Sequence, residues 1–195
     1  VKKWQAPILK TTDTQAEQFL SSLPFQLTGA QHRVITEIVT DCQSNHPMLR
    51  LVQGDVGSGK TIVAAYAALL ALSSHFQVAI MAPTELLAEQ HKHNFKQWFK
   101  GNKTNIAYLT GQLKGKARKQ TLTDIENGTA NIIIGTHALF QDSVIFHQLG
   151  LIIIDEQHRF GVHQRLALRE KGQTTSSRPH QLVMTATPIP RTLAM

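Results

Sequence analysis

The chain has 195 residues, enough for one well-packed domain, and its 42% hydrophobic and 17% charged residues are typical of a globular protein. Lys and Arg number 20 against 13 Asp and Glu, and the net charge of +7 fits either a polyanionic partner or a plain solvated basic surface. The only cysteine, Cys42, excludes an internal disulfide, and no apolar run reaches the roughly 20 residues that span a bilayer, so we expect a cytoplasmic protein.

The beginning of the chain differs from the rest. It starts at Val1 and stops at Met195 inside a continuing segment, so we expect a piece of a longer protein. Residues 1–22 show only a short predicted helix over 14–20, and we interpret them as a linker or the tail of a preceding domain. The predicted globular domain covers 23–195 and opens with an amphipathic helix over 28–42, for which Thr28 is the expected N-cap.

From residue 48 onward, short apolar runs alternate with helical patterns. Most of the runs are apolar at successive positions, which is typical of strands buried on both faces of a parallel sheet. We therefore predict an α/β fold, a mostly parallel sheet with helices on both faces and ligands at the carboxyl ends of the strands. The predicted strands are 49–52, 77–82, 105–109, 131–134, 151–154 and 181–184, and the predicted helices between them are 60–73, 84–100, 115–127 and 162–170.

A glycine-rich turn joins the first strand to the next helix. Backbone N–H groups and the positive end of the helix dipole converge in such a turn, and they attract a polyphosphate. We expect Lys60 to reach the β- and γ-phosphates and the Thr61 hydroxyl to bind Mg²⁺. The alternative is an ordinary left-handed turn before a helix. The turn fits the pattern G-x-x-x-x-G-K-[ST] with Gly54, Asp55, Val56, Gly57, Ser58, Gly59, Lys60 and Thr61.

Two adjacent carboxylates end the apolar strand at 151–154. Mg²⁺ is held in phosphate sites by one or two carboxylates, so Asp155 is the expected metal ligand. Glu156 is the expected group that orients or deprotonates the attacking water. An acidic turn after a buried strand is the alternative. Because this edge of the sheet also holds the glycine-rich turn, we predict that Lys60 and Asp155 meet over one metal-bound triphosphate.

Three other predicted strands end in residues suited to contact a nucleic-acid backbone. A helix N-terminus that carries a hydroxyl, as at Thr84, favours a phosphate, although a simple N-cap fits that residue equally well. The other two pairs also fit plain strand-to-loop turns. The predicted nucleic-acid contacts are Pro83 and Thr84, Thr110 and Gly111, and Thr136 and His137.

Four strings of residues together resemble one protein family. They cover 54–61, 82–91, 155–162 and 184–192, and the third of them begins with the D-E-x-H form of superfamily 2 helicases and translocases. Over about residues 20–195, the chain resembles the RecG family of bacterial ATP-dependent DNA helicases, which remodel stalled forks and branched junctions in recombination and repair. Transcription-repair coupling factors (Mfd) share part of these strings, but Gln157 and Ser58 favour RecG.

The resemblance implies a RecA-like P-loop NTPase domain that binds ATP with Mg²⁺, the first of two motor domains. It implies that Gln31 reads adenine, although a solvent-facing helix glutamine is the alternative. It also implies that His158 couples the nucleotide state to the segment containing Thr185 and Thr187.

The same resemblance implies partners that lie outside this chain. These are branched or forked DNA, a second motor domain and a junction-binding wedge domain, in a bacterial cytoplasmic protein associated with the nucleoid. The second motor domain supplies the arginine finger, which is worth about 10³–10⁵ in rate, so we expect this piece alone to bind ATP weakly and hydrolyse it hardly at all. Besides Mfd, two alternatives are a nucleic-acid-binding lobe with a non-catalytic nucleotide switch and a small-molecule kinase. The motifs after residue 154 count against the kinase.

Two groups of residues carry no predicted role in catalysis. Among the ten histidines, His91 and His93 lie on different faces of one predicted helix and no cluster completes a metal site, so we expect structural or surface roles. His91 falls on the core-facing stripe of that helix. The basic run at residues 114–119 is expected to be mainly a solvated helix face, with contact to DNA phosphate as the alternative.

Overall fold

The computed structural model describes residues 3–54, 59–155, 162–174 and 176–186. All six predicted strands form, and each of their ends lies within two residues of the predicted position. They are β1 (Leu49–Gln53), β2 (Gln77–Met81), β3 (Ile106–Leu109), β4 (Ile132–Gly135), β5 (Leu149–Asp155) and β6 (His180–Thr185). They make one sheet in the order β1-β6-β5-β2-β4-β3, and every pair is parallel.

The predicted helices also form, again with ends within two residues of the predicted ones. They are α1 (Asp13–Ser21), α2 (Gly29–Gln43), α3 (Lys60–Ser73), α4 (Glu85–Trp98), α5 (Gly115–Glu126) and α6 (Val162–Lys171). A four-residue 3-10 turn, His137–Phe140, was not predicted. No helix among the described residues has the length and apolar character needed to cross a bilayer.

Helix starts follow from local sequence. Thr12, Thr28 and Thr84 each precede a helix, and each hydroxyl accepts a hydrogen bond from the backbone N–H three residues on. The predicted N-cap at Thr28 is thereby confirmed, and Gln31 completes a capping box with it. The start of α3 is different, because Gly59 precedes it in the left-handed region, at φ 81°, and no side chain caps it.

The core lies on both faces of the sheet. Successive strand residues point to opposite faces, so that Ile80 and Ile153 pack with α1 to α4, whereas Met81 and Ile152 pack with α5, α6 and the 3-10 turn. Helix α3 is buried over most of its surface, as expected for its run of Ala, Leu and Val. The predicted fold class is confirmed.

The first residues of the chain lie against the same body. Leu9 and Phe19 are buried in the core, and a bridge joins Gln5 to Ser177, just before β6. The boundary predicted at residue 22 stays a prediction. Cys42 is fully buried in α2, as expected for a small apolar residue, and burial raises the pKa of its thiol to about 12.

Two buried polar side chains at the amino ends of the strands, those of Gln77 and His180, are hydrogen-bonded to backbone groups. The Gln77 amide donates to the carbonyls of Ile125 and Ala130 and accepts from the N–H groups of His147 and Gln148. His180 is likewise buried, and its Nδ1 accepts from the Met48 N–H while Nε2 donates to the carbonyl of Pro7. Such satisfaction is what a buried polar group requires.

Candidate functional site

Three neighbouring strands bring the predicted nucleotide residues to one edge of the sheet. β1, β6 and β5 are adjacent, with Gln53 opposite Thr185 and Met184 opposite Asp155. Strands lie about 4.8 Å apart, so the start of the glycine-rich turn and Asp155 are separated by about 10 Å across the sheet. The sequence prediction required that these two segments share an edge, and in the structure they do.

The described ends of the glycine-rich turn are tied to each other and to β6. The Lys60 ammonium donates to the carbonyl of Gly54 over 2.6 Å, and the Gly54 N–H donates to the carbonyl of Thr185 over 3.2 Å. Thr185, the predicted coupling residue, therefore contacts the turn directly through its backbone. The predicted phosphate-binding residues Asp55, Val56, Gly57 and Ser58 lie outside the described residues.

The N-terminus of α3 is suited to an anion. Its first N–H groups have no side-chain cap, and the left-handed Gly59 turns the chain into the helix. Glycine suits this position because other residues rarely adopt φ 81°, and a Cβ there would also displace the Gln31 amide, whose nitrogen would lie 2.0 Å away. Lys60 and Thr61 are the first two residues of α3 after this turn, half-buried at the mouth of a cavity.

That cavity, of about 480 Å³, lies between the α2 start and the α3 start. Gln31 is at its wall, where its amide oxygen accepts from the Thr28 N–H and its nitrogen lies 3.4 Å from the Gly59 carbonyl. Sequence reasoning missed this arrangement: Gln31 belongs to a helix cap and to the glycine-rich turn at once. The T-x-x-Q spacing was the available signal for the cap. The lining residues are Phe25, Gln26, Thr28, Gln31, Gly59, Lys60, Thr61, Ile62 and Trp98.

Asp155 has an unexpected partner. Its Oδ2 lies 2.6 Å from Nε2 of His91 on α4, and both residues are buried, at 9% and 5% exposure. The prediction that His91 faces the core is confirmed, but a purely structural reading missed the contact with Asp155. A signal existed, because a histidine on an apolar helical stripe needs a buried polar partner.

The remaining predicted catalytic and coupling residues, Glu156, His158 and Thr187, lie outside the described residues. Their roles stay predictions. Arg159, Phe160 and Gly161, in the string that resembles the family, also lie outside the described residues. What the structure does fix is the position of Asp155, the residue directly before this segment, at the end of β5.

The predicted nucleic-acid contacts lie at the ends of the other three strands, β2, β4 and β3. Pro83 and Thr84 follow β2, Thr136 and His137 follow β4, and Thr110 and Gly111 follow β3. Thr84 is exposed and caps α4 through Leu87 N–H. Thr110 and Thr136 are buried, whereas Gly111 and His137 are exposed. The edge therefore has two halves, with the predicted nucleotide residues at the ends of β1, β6 and β5 and the predicted nucleic-acid residues at the ends of β2, β4 and β3.

A larger cavity, of about 770 Å³, lies elsewhere, between α4, β3 and α5. It shares no lining residue with either half of the edge. Lys92 lies there, 4.8 Å from the centre of the Tyr108 ring, in a cation–π contact. Size alone does not identify the site, since the glycine-rich turn and the buried carboxylate are both elsewhere.

Comparison with known proteins agrees with the geometry. The family model of DEAD/DEAH box helicases matches residues 28–195. The chain is 58% identical over 189 residues to the ATP-dependent DNA helicase RecG of Haemophilus influenzae, and 58% identical over 194 residues to that of Escherichia coli K12. The two alignments cover 97% and 100% of this chain but only 27% and 28% of the relatives, so the chain spans about a quarter of their length.

Solved helicase structures also resemble this chain. A structure of RecG bound to a three-way DNA junction matches 97% of this chain with a TM-score of 0.84 and 42% identity, and the match covers 25% of that protein. The helicase Lhr of Mycobacterium smegmatis, solved with single-stranded DNA and AMP-PNP, matches with a TM-score of 0.72 at 18% identity, which supports the fold alone.

Proposed function

The chain belongs to the DEAD/DEAH box helicase family, and from that premise we propose that it is the ATP-binding first motor domain of a RecG-type DNA helicase. In the intact protein, this domain would couple ATP hydrolysis to movement on duplex DNA and so remodel forked and branched junctions. The RecG relatives support this choice over a coupling factor, since they match nearly the whole chain at up to 59% identity.

The observation that carries the proposal is the shared edge of β1, β6 and β5. It unites an uncapped helix N-terminus, a lysine, a hydroxyl and a buried carboxylate within a few residues of the strand ends. Oxygen ligands are those that Mg²⁺ prefers, so Thr61 and Asp155 fit the ion, and Oδ1 of Asp155 has no hydrogen-bond partner among the described residues. When bound, Mg²⁺ would neutralise charge on the β- and γ-phosphates.

The residues of this chain have separate tasks in the proposal. The α3 N-terminus and Lys60 hold the phosphates, and Lys60 exchanges its bond to the Gly54 carbonyl for phosphate oxygens. Gln31 faces the base from the wall of the adjoining cavity. Glu156 orients the attacking water or accepts its proton.

In the proposal, ATP hydrolysis is coupled to movement through the backbone hydrogen bond between the glycine-rich turn and β6. Thr185, at the end of β6, accepts a hydrogen bond from Gly54, so a change in the turn is transmitted to β6 and to Thr187 beyond it. The DNA backbone contacts are Pro83, Thr84, Thr110, Gly111, Thr136 and His137. Contacts to phosphates read no sequence, so affinity for DNA in the intact protein is expected to be salt-dependent and weakly sequence-specific.

Binding of a fluorescent ATP analogue tests the nucleotide site. The chain is expected to bind the analogue, and Lys60→Ala is expected to weaken binding at least tenfold, because it removes the only cation in the described lining of the cavity. Lys100→Ala changes an exposed lysine just after α4 that does not line this cavity, and it is the matched control. Equal binding by the Lys60→Ala variant would refute the proposed site.

Catalysis needs a second test. This chain alone is expected to show little turnover with forked DNA, since the arginine finger is expected from the second motor domain. Steady-state hydrolysis by the chain at the rate of the intact protein would contradict the assignment as one half of a two-domain motor.

A further inference from the structure

The contact between His91 and Asp155 is unlike any other in the described structure. It is the only hydrogen bond between two buried side chains among the described residues. The two other ion pairs found there join Arg50 to Glu37 and to Asp41, all of which are half-buried or exposed. A 2.6 Å bond from a helix to the last residue of β5 therefore needs a specific explanation.

Core packing does not supply that explanation. His91 lies on a stripe with Ala88 and Phe95, and the Phe95 ring meets it edge-on at 6.5 Å. An apolar side chain would fill this place without polar cost, whereas the His91 Nδ1 is buried and has no partner among the described residues. Only Nε2 is bonded, and its partner is the carboxylate predicted to bind the metal.

The effect of the bond on Asp155 is geometric. Nε2 holds Oδ2, which leaves Oδ1 for another ligand and restricts rotation of the carboxylate. A side chain that orients a ligating carboxylate in this way commonly changes metal affinity by about 10- to 100-fold. The described structure gives Asp155 no second hydrogen bond that would do the same.

Helix α4 connects this carboxylate to the other half of the edge. Thr84 caps the helix at the end of β2, and His91 follows seven residues later, two turns and about 10.5 Å along the same face. Ala88, one turn after Thr84, and Phe95, one turn after His91, are fully buried, so the helix is anchored along its length. One rigid element thus carries a predicted DNA contact at its start and the partner of Asp155 two turns on.

We propose that His91 is a positioning residue that fixes the Asp155 carboxylate for Mg²⁺ and links it, through α4, to the Thr84 end of the helix. The proposal rests on the proposed function, since it concerns the metal of that nucleotide site. His91 does not touch substrate, and its effect is exerted through Asp155.

The test measures metal affinity rather than turnover. The apparent affinity for Mg²⁺ is measured from binding of a fluorescent ATP analogue by the chain at fixed nucleotide, and nucleotide affinity is measured separately in EDTA. His91→Leu removes the bond, and His91→Asn keeps a polar group that is too short to reach Asp155. Both are expected to lower apparent Mg²⁺ affinity by about 10- to 100-fold, with nucleotide affinity in EDTA unchanged.

Two further variants make the result specific. In His91→Gln, the side-chain amide reaches as far as Nε2 does, so most of the metal affinity is expected to return. His93→Gln, an exposed histidine on another face of α4, is the control and is expected to change nothing. Thermal melts of each variant establish folding, and the Asn and Gln variants decide the matter where Leu does not fold.

The outcomes separate the two proposals. If Lys60→Ala binds nucleotide as well as the unchanged chain does, the proposed function fails. If Lys60→Ala loses binding but His91→Asn keeps full Mg²⁺ affinity, only the role of His91 is overturned. An equal loss of affinity with and without Mg²⁺ would also overturn it, since it would show a structural role alone.

Discussion

Two pairs of buried polar side chains, at opposite ends of the sheet, differ in their hydrogen bonding. At the amino ends, Gln77 and His180 use their side-chain polar atoms to bond backbone groups. At the carboxyl ends, His91 Nδ1 and the Thr136 hydroxyl are buried with no partner among the described residues. Arg169 Nε, near the end of α6, is also buried without a partner among the described residues, so the contrast is one between these two pairs of side chains. Because unmet hydrogen bonds cost stability, we expect Gln77 and His180 to stabilise the fold and His91 and Thr136 to be available to ligands.

The largest expected effect is at the carboxyl end. Lys60→Ala in the intact protein should lower DNA-stimulated ATP hydrolysis by about 10²–10³-fold, because a positioned charge on the transferred phosphate is lost. The midpoint of thermal unfolding should stay within about 2 °C, since Lys60 is only half-buried and forms no part of the core. Steady-state kinetics with forked DNA and calorimetry measure the two quantities. A large loss of stability would contradict the expectation that Lys60 serves ligand binding rather than the fold.

The converse is expected at the amino end. Gln77→Leu removes the side-chain partner of the Ala130 carbonyl and of the His147 and Gln148 N–H groups, and should lower the free energy of unfolding by about 2–4 kcal/mol. Nucleotide affinity of the folded fraction should be unchanged. Urea unfolding checks the first value, and Gln120→Leu, an exposed glutamine of α5, is the matched control with an expected change below about 0.5 kcal/mol. Equal effects of the two variants would contradict the role assigned to Gln77.

His180 makes the amino end sensitive to pH. Burial lowers the pKa of His180 below its ordinary value of 6.5, although the Pro7 carbonyl opposes the shift. Protonation therefore favours the unfolded chain, so its contribution is complete above about pH 6.5 and is lost as pH falls toward the folded pKa, at up to about 1.4 kcal/mol per pH unit.

Urea titrations between pH 5 and 8 measure this slope. His180→Asn, whose oxygen can still accept from the Met48 N–H, should flatten it, and the exposed His93→Gln serves as the control. A slope that His180→Asn leaves unaltered would assign the acid sensitivity to other groups.

The smallest expected effect is on stability, from a substitution at the carboxyl end of β4. Thr136→Val replaces a buried hydroxyl that has no partner among the described residues with a methyl group of the same shape, so stability should hold or rise by up to about 1 kcal/mol. If the hydroxyl contacts nucleic acid, affinity of the intact protein for forked DNA should fall. Unfolding and DNA-binding titrations test this pair of effects. A destabilised variant would mean that the hydroxyl is bonded within the fold.

Sequence patterns predicted the elements well because their signals are local. Buried parallel strands appear as continuous apolar runs, and helix starts at Thr28 and Thr84 follow from capping chemistry. The 3-10 turn at His137–Phe140 was missed because four residues give no periodicity. Its first residue, His137, had been interpreted either as a nucleic-acid contact or as part of a plain strand-to-loop turn.

What the sequence did not yield depends on strand order. Asp155 reaches His91 because β5 lies beside β2, whose end leads into α4, and no local pattern specifies that neighbour. The division of the carboxyl edge into two halves follows from the same order. Motif spacing predicted the members of the site, whereas strand adjacency decides which of the described ones lie close together.

The attachment of the first residues has a mechanical consequence. Gln5 bridges to Ser177, the Arg178 guanidinium lies 3.7 Å from the centre of the Trp4 ring, and Pro7 accepts from His180, all at or next to the start of β6. The last residue of that strand is Thr185, whose carbonyl bonds Gly54. A pull on the leading segment would therefore act on one end of β6, whose other end is hydrogen-bonded to the glycine-rich turn.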